Sequence, residues 1–171
     1  AAESMGATYK GVQTGTFGDY NAISFNGNKI ITTSGGGMFL TDDKEAADKV
    51  RKWSTQSREN APWYQHEELG YNYRLTNLQA ALGLAQIEQL EGFIAHKKEL
   101  YDFYVERLDG KNGLRILGWR PGTRPNRWFF SVDMKDSAVS RDDLIRILAE
   151  NKIQSRSIWD LIHEQAPYHG S

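Results

Sequence analysis

From Thr76 onward the apolar residues keep helical spacing. Leu78, Leu82, Ala85, Ile87, Leu90, Ile94, Tyr101, Tyr104 and Leu108 follow one another largely at three- and four-residue steps. Such steps are the spacing of a helix. Thr76 and Gln79 supply a capping box at its start, and Asp109-Gly110 supplies a stop. The pattern predicts one helix over about residues 76–109, roughly 45–50 Å long at 1.5 Å per residue. The mean globular helix is about a third of that length. A helix so long bridges two domains or an interface, which limits the folds open to this chain.

The flanking segments have different patterns. Residues 20–25 predict a strand, followed by Asn26-Gly27, and residues 38–40 predict a second. Asp42 and Glu45 make a capping-box pattern before Ala46, Val50 and Trp53, so a helix is expected from Asp43 to about Ser54. Residues 56–73 are aromatic and polar without clean periodicity, and predict a long loop with a functional role. Beyond the long helix, residues 113–117 and 128–133 predict strands, with a turn at Pro121-Gly122. Ser140 and Asp143 cap a helix carrying Leu144, Ile147 and Leu148, and residues 153–158 predict a last strand. The whole reads as an α/β unit over residues 1–110, long helix included, and part of a small α+β unit over residues 111–171.

Composition narrows the function. The chain has 171 residues, enough for a real core. It has no cysteine, which rules out disulfides, thiolate metal sites and a cysteine nucleophile. Lys plus Arg is 21 and Asp plus Glu is 22, a balance that argues against nucleic acid or an anionic membrane as partner. There is no apolar run of transmembrane or secretory length, no low-complexity segment and no repeat. The start at Ala1 without methionine and the loop-like end at His169-Gly170-Ser171 suggest an internal piece of a longer protein.

The most informative chemistry lies around Lys29. It follows Ser24 by five residues and precedes the run Gly35-Gly36-Gly37. A lysine fixed there suits a covalently held pyridoxal phosphate. The local pattern also permits a plainer reading. Asn-Gly between apolar runs is a strong hairpin signal, which would leave Lys29 exposed on a tight turn. The glycines alone fit a flexible loop, a bulge or a close backbone approach.

Three blocks in order tilt that balance. They are Ala1-Ala2-Glu3-Ser4-Met5-Gly6-Ala7, then Ser24-Phe25-Asn26-Gly27-Asn28-Lys29 with Ser34-Gly35-Gly36-Gly37-Met38, then Gly70-Tyr71-Asn72-Tyr73-Arg74-Leu75-Thr76-Asn77. Together they resemble the DegT/DnrJ/EryC1/StrS family of nucleotide-sugar aminotransferases, and the resemblance weakens after residue 110. It implies the later part of a fold-type I, aspartate aminotransferase-like large domain, followed by the start of the small C-terminal domain. It also implies Lys29 as the catalytic, covalent anchor of pyridoxal 5'-phosphate. Ser24 would donate to the cofactor phosphate, Glu3 would pack against its ring, and Asn72 would reach the phosphate from a neighbouring subunit. Arg74 and His163 would contact substrate; Arg156 and Trp159 lie in the same segment as His163, although Ser157 replaces the family's usual proline. The family aspartate that pairs with the pyridine nitrogen would stand just before Ala1, so the chain by itself is expected to be inactive.

The implied reaction moves an amino group from glutamate to a nucleotide-linked keto-6-deoxy sugar, in a cytoplasmic homodimer. An amine attacks only when neutral, a state favoured by desolvation or neighbouring positive charge. Relatives with histidine in place of the lysine dehydrate instead, so Lys29 favours transamination. An inactive structural or dimerisation module, and another pyridoxal-phosphate reaction such as elimination, remain as alternatives. For Asn72 a turn role, for Arg74 a capping role and for His163 a surface-loop role stand beside the ligand roles. The trio His163, Glu164 and His169 has no helix-face metal spacing, so no metal is expected.

Overall fold

The first pairing in the chain lies outside the apolar patterns. β1 (Thr8–Tyr9) and β2 (Val12–Gln13) form an antiparallel hairpin. Its turn residues Lys10 and Gly11 hold φ of 50° and 82°, the left-handed geometry of tight hairpins. The computed structural model describes residues 1–168. β3 (Asn21–Ser24) and β4 (Gly37–Leu40) pair antiparallel, from Asn21↔Leu40 to Ser24↔Gly37. A Cβ on Gly37 would sit 2.5 Å from the Ile23 carbonyl oxygen, so the close approach of these strands requires glycine.

α1 (Lys44–Ser54) forms where expected, but its cap is shifted by one residue. Asp43, not Asp42, accepts the Ala46 N–H, at 3.1 Å. That bond is the chief reason the Asp43 carboxyl lies below its usual range. The displaced pattern is explained by Thr41, whose hydroxyl accepts the Asp43 N–H at 3.0 Å and turns the chain one residue later.

The long helix is interrupted. α2 (Asn77–Ile87) and α3 (Leu90–Leu108) are separate, with Glu88 and Gln89 between them. No proline or glycine is at the break; a side chain causes it. Gln89 Nε2 donates to the Ala85 carbonyl at 2.8 Å, taking the acceptor that its own backbone N–H would use. That N–H goes to Gln86 O instead, at 3.0 Å. A side chain inserted into the i→i−4 ladder breaks a helix in this way. The start is as expected: Thr76 and Gln79 form a complete capping box.

Three short strands and a helix complete the chain: β5 (Arg115–Ile116), β6 (Thr123–Arg124), β7 (Val132–Asp133) and α4 (Arg141–Glu150). The residues group into two compact units. The first comprises Ala1–Tyr101 and Trp119–Trp128, and holds β1 to β4, α1, α2 and β6. In it β6 pairs with β1 to give a sheet ordered β2-β1-β6. Its core is Ile23, Phe25 and Ile31, with Met5, Leu40, Leu90 and Phe93 packed against them. The second unit comprises Asp102–Gly118 and the described residues from Phe129 on. In it β5 pairs with β7, and the Arg115 guanidinium meets Asp133 at 2.7 Å.

Three strand expectations are corrected in length or existence. Residues 113–117 reduce to Arg115–Ile116, and 128–133 to Val132–Asp133. Residues 153–158 form no strand. Ile153 and Ile158 are more than half exposed there, and an apolar run without a partner edge cannot pair its backbone as a ladder. The Ser140 cap of α4 stands as expected, accepting the Asp143 N–H at 3.1 Å.

The long loop over residues 56–73 is pinned by backbone contact. Ser57 is fully buried and donates its hydroxyl to Leu69 O at 3.0 Å. Gly70 lies flat on Gln56 and Ser57, and an added Cβ would collide with the Ser57 backbone nitrogen and the Gln56 carbonyl carbon. Gly70→Ala is therefore expected to destabilise the fold by about 2 kcal/mol, within the usual range for forced overpacking. Denaturant unfolding of wild type and variant checks it, and an unchanged midpoint would contradict the packing described.

Candidate functional site

The site is built on the return from β3 to β4. After Ser24 and Phe25 the chain turns at Asn26-Gly27-Asn28-Lys29, closed by the Lys29 N–H on Asn26 O at 3.1 Å. Ser24 Oγ accepts the Asn26 N–H at 3.2 Å and steadies the entry. Phe25 then fixes the exit: its N–H donates to Gly36 O and its carbonyl accepts the Thr33 N–H, both at 3.0 Å. The Thr32 N–H donates to Gln86 Oε1 on α2 at 2.9 Å. The Asn-Gly turn therefore forms, but the lysine on it is not exposed.

Lys29 points inward. Its side chain keeps only 12% of its exposure, and Nζ meets Glu3 Oε1 at 2.8 Å. Nζ also lies 4.4 Å from the ring centroid of Trp128. A carboxylate and an aromatic face are both partners for an ammonium group. Lys29 and Glu3 thus meet, although they are 26 residues apart in sequence, while Ser24 stands at the entry of the same turn.

Two residues of this locality escaped the sequence reading. Trp128 is buried at 9% exposure, and its indole N–H donates to Asn28 O at 2.5 Å. Asn126 is buried at 6%, and its Nδ2 donates to the carbonyls of Glu3 at 2.7 Å and Met5 at 3.0 Å. The available signal was the interruption Pro125-Asn126-Arg127 just before an expected strand, with Arg127 at φ 52°. A loop asparagine between proline and tryptophan fits a side chain that bonds backbone elsewhere.

Asn72 and Arg74 lie elsewhere in the same unit. They line an open cleft of about 540 Å³ with Ser54, Thr55 and Arg58. Backbone bonds hold this wall: Gln56 N–H to Tyr71 O at 2.9 Å, and the N–H groups of Tyr73 and Arg74 to Ser54 O at 2.9 and 3.1 Å. Asn72 pairs with Thr55 in an isolated bridge, and Tyr71 stacks on Tyr73 with centroids 5.0 Å apart. Among the described residues no hydrogen bond or ion pair joins Asn72 or Arg74 to Lys29, Ser24 or Glu3. On the loop above the cleft, Arg58 lies 4.4 Å from the exposed Tyr64 ring, and Trp63 is exposed too.

His163 sits in the second unit, exposed, in a short helical turn at Ile162–Glu164. Arg156 is exposed in extended chain before it. Among the described residues no three His, Cys, Asp or Glu side chains converge on a metal position. His169, the third member of the trio considered from sequence, lies outside the described residues.

A model of the DegT/DnrJ/EryC1/StrS aminotransferase family matches residues 1–171. The chain belongs to this family. It is 42% identical over 165 residues to EpsN of Bacillus subtilis (strain 168), assigned as a pyridoxal phosphate-dependent aminotransferase, covering 96% of this chain and 42% of that protein. It is 36% identical over 167 residues to a GDP-perosamine synthase of Escherichia coli O157:H7, covering 98% and 45%. Among solved structures, the aminotransferase TlmJ of Streptoalloteichus hindustanus superposes with a TM-score of 0.89 at 25% identity, covering 98% of this chain and 46% of that one. A family aminotransferase of Brucella abortus superposes at 0.83 with 28% identity, covering 99% and 44%. The chain therefore spans less than half the length of these relatives. Its fold is part of the fold-type I transferase architecture, as the sequence implied.

The family's Gly-Tyr-Asn-Tyr-Arg segment is held here by a charge-assisted anchor. Glu68 accepts the Trp53 indole N–H at 3.0 Å and pairs with Lys52 at 3.1 Å. The indole bond first, then the lysine, holds its carboxyl below the usual range. A depressed folded-state value means the contribution is complete above the ordinary carboxylate range and is lost as pH falls through the lower folded value. Acidification is expected to loosen the loop, read as lower amide protection factors at Tyr71 and Tyr73 once the intrinsic pH dependence of exchange is divided out. Glu68→Gln should flatten that dependence; an identical acid response in the variant would count against the anchor.

Proposed function

We propose that this chain forms the lysine-bearing part of a pyridoxal-phosphate-dependent aminotransferase that moves nitrogen from glutamate to a nucleotide-linked keto-6-deoxy sugar. The observation that carries the reading is the Lys29 amine, turned inward against Glu3 and Trp128 five residues after Ser24. The relatives' names point the same way: one is a pyridoxal phosphate-dependent aminotransferase, others are GDP-perosamine synthases.

The residues present suit that cofactor. Lys29 supplies a sheltered primary amine that could bond its aldehyde covalently once it gives up the proton that pairs it with Glu3. The Ser24 Oγ accepts a backbone N–H, which leaves its O–H free to donate to a phosphate. Pyridoxal phosphate, when bound, supplies an electron-withdrawing ring that stabilises negative charge at the donor's α-carbon. Lys29 would hold the cofactor at rest, then take and return the proton at that α-carbon. Glu3 would flank the ring and keep the Lys29 amine oriented. Asn72 would serve the phosphate of a second copy of the chain, and Arg74 and His163 would bind anionic and polar parts of the sugar nucleotide. Retention of lysine at position 29 favours transamination over dehydration.

The same reading assigns residues 1–110 to the later half of the cofactor domain and 111–171 to the start of the small domain. A homodimer is supported by α2, whose Leu78, Leu84 and Ile87 are 85%, 61% and 45% exposed. A second copy of the chain would cover part of this apolar surface. Among the described residues no helix is long and apolar enough to cross a membrane. A cytoplasmic location belongs to the same proposal.

Borohydride reduction of the full-length protein with pyridoxal phosphate, followed by peptide mass mapping, is expected to place a stable adduct on Lys29. Lys29→Ala should abolish that adduct and the formation of 2-oxoglutarate from glutamate. Ser24→Ala should weaken cofactor retention by about tenfold, the loss of a charge-assisted hydrogen bond worth ~1.5 kcal/mol. A folded wild-type protein with no adduct on Lys29 would sink the reading.

A further inference from the structure

We propose that Trp128 is a positioning residue for the Lys29 amine and that Asn126 sets Trp128 in place. The inference rests on the reading of Lys29 as the reactive amine, and goes beyond it by assigning the group that aims it. Lys29 sits on a turn whose Asn28 carbonyl accepts the Trp128 indole N–H. The same indole lies 4.4 Å from Nζ. One side chain therefore grips the backbone next to the lysine and covers the lysine head. A lysine stem has several free rotors, and fixing its head requires groups placed around it.

Trp128 is held in turn. Its backbone N–H donates to Asn126 Oδ1 at 3.0 Å. The other half of the same amide donates to the carbonyls of Glu3 and Met5. Asn126 thus anchors both groups that face Nζ: the indole, through Trp128, and the carboxylate, through the Glu3 backbone. Trp128 and Asn126 are each buried, so no water competes well for these bonds. A tryptophan that only filled space would need neither the bond to Asn28 nor a face over the amine.

Competitive acetylation of the full-length protein with acetic anhydride, read by peptide mass mapping, tests this without the cofactor. Lys44, with 89% of its side chain exposed, is the internal standard. In Trp128→Leu the Lys29 rate relative to Lys44 is expected to rise about fivefold or more, since a sheltering cation–π contact is lost. In Trp128→Phe, which keeps an aromatic face but loses the bond to Asn28, the rise should be clearly smaller than in Trp128→Leu. Asn126→Ala should follow Trp128→Leu. Circular dichroism identifies a variant that fails to fold, in which case the phenylalanine variant decides. A folded Trp128→Phe protein whose Lys29 labels as fast as Lys44 overturns the proposal, as does a folded Trp128→Leu protein with unchanged labelling. Pyridoxal phosphate trapping on the same proteins separates the two readings. No wild-type adduct with the labelling shift intact sinks the aminotransferase reading and leaves the positioning role standing; an adduct without the shift does the reverse.

Discussion

The amide of Asn126 makes three hydrogen bonds in a buried setting, to Glu3 O, to Met5 O and from Trp128 N. The first two join parts of the chain that have no local reason to meet, since 123 and 121 residues separate Asn126 from Glu3 and Met5; the third is local, two residues along the chain. Both bonds are partly buried, and they tie the backbone at Glu3 and Met5 to this side chain. With that backbone tied, the Glu3 carboxylate is delivered to Lys29, and Trp128 is delivered to the other side of the same amine. The site depends on this clamp more than on any pairing of strands.

The strands supply rigidity rather than aim. β3 and β4 pair closely because Gly37 permits it, and Phe25 locks both ends of the excursion between them. Ile23, Phe25 and Ile31 bury their side chains around that excursion, which leaves the turn at Asn26–Lys29 short and fixed. A lysine on a short fixed turn can face either outward or inward. Here a carboxylate and an indole wait on the inner side, and the inward state satisfies both.

The cleft lined by Asn72 and Arg74 is organised on another principle. Its walls are backbone bonded to backbone across the end of α1, with Gly70 allowing the chain to lie flat on Ser57. Among the described residues Arg74 has no acid partner, and Arg58 contacts an aromatic ring instead of a carboxylate. Glu59 lines the same cleft and pairs with Lys52.

Much of this was legible from local pattern. The capping box at Thr76, the Ser140 cap, the paired strands around residues 20–25 and 38–40, and the tight turn that carries Lys29 follow from propensity, periodicity and motif, because each depends on residues a few positions apart. What escaped has a common cause. The helix break at Gln89 depends on which of two donors captures one carbonyl, and the missing strand at 153–158 depends on the absence of a partner edge. The β1–β6 pairing and the Asn126–Trp128 clamp join segments a hundred or more residues apart, whose meeting no local rule encodes. Sequence by itself determined that a lysine would stand on a tight turn between two strands in a member of this family. Only the tertiary structure decided that its amine turns inward, because the groups that hold it there arrive from the far end of the first unit.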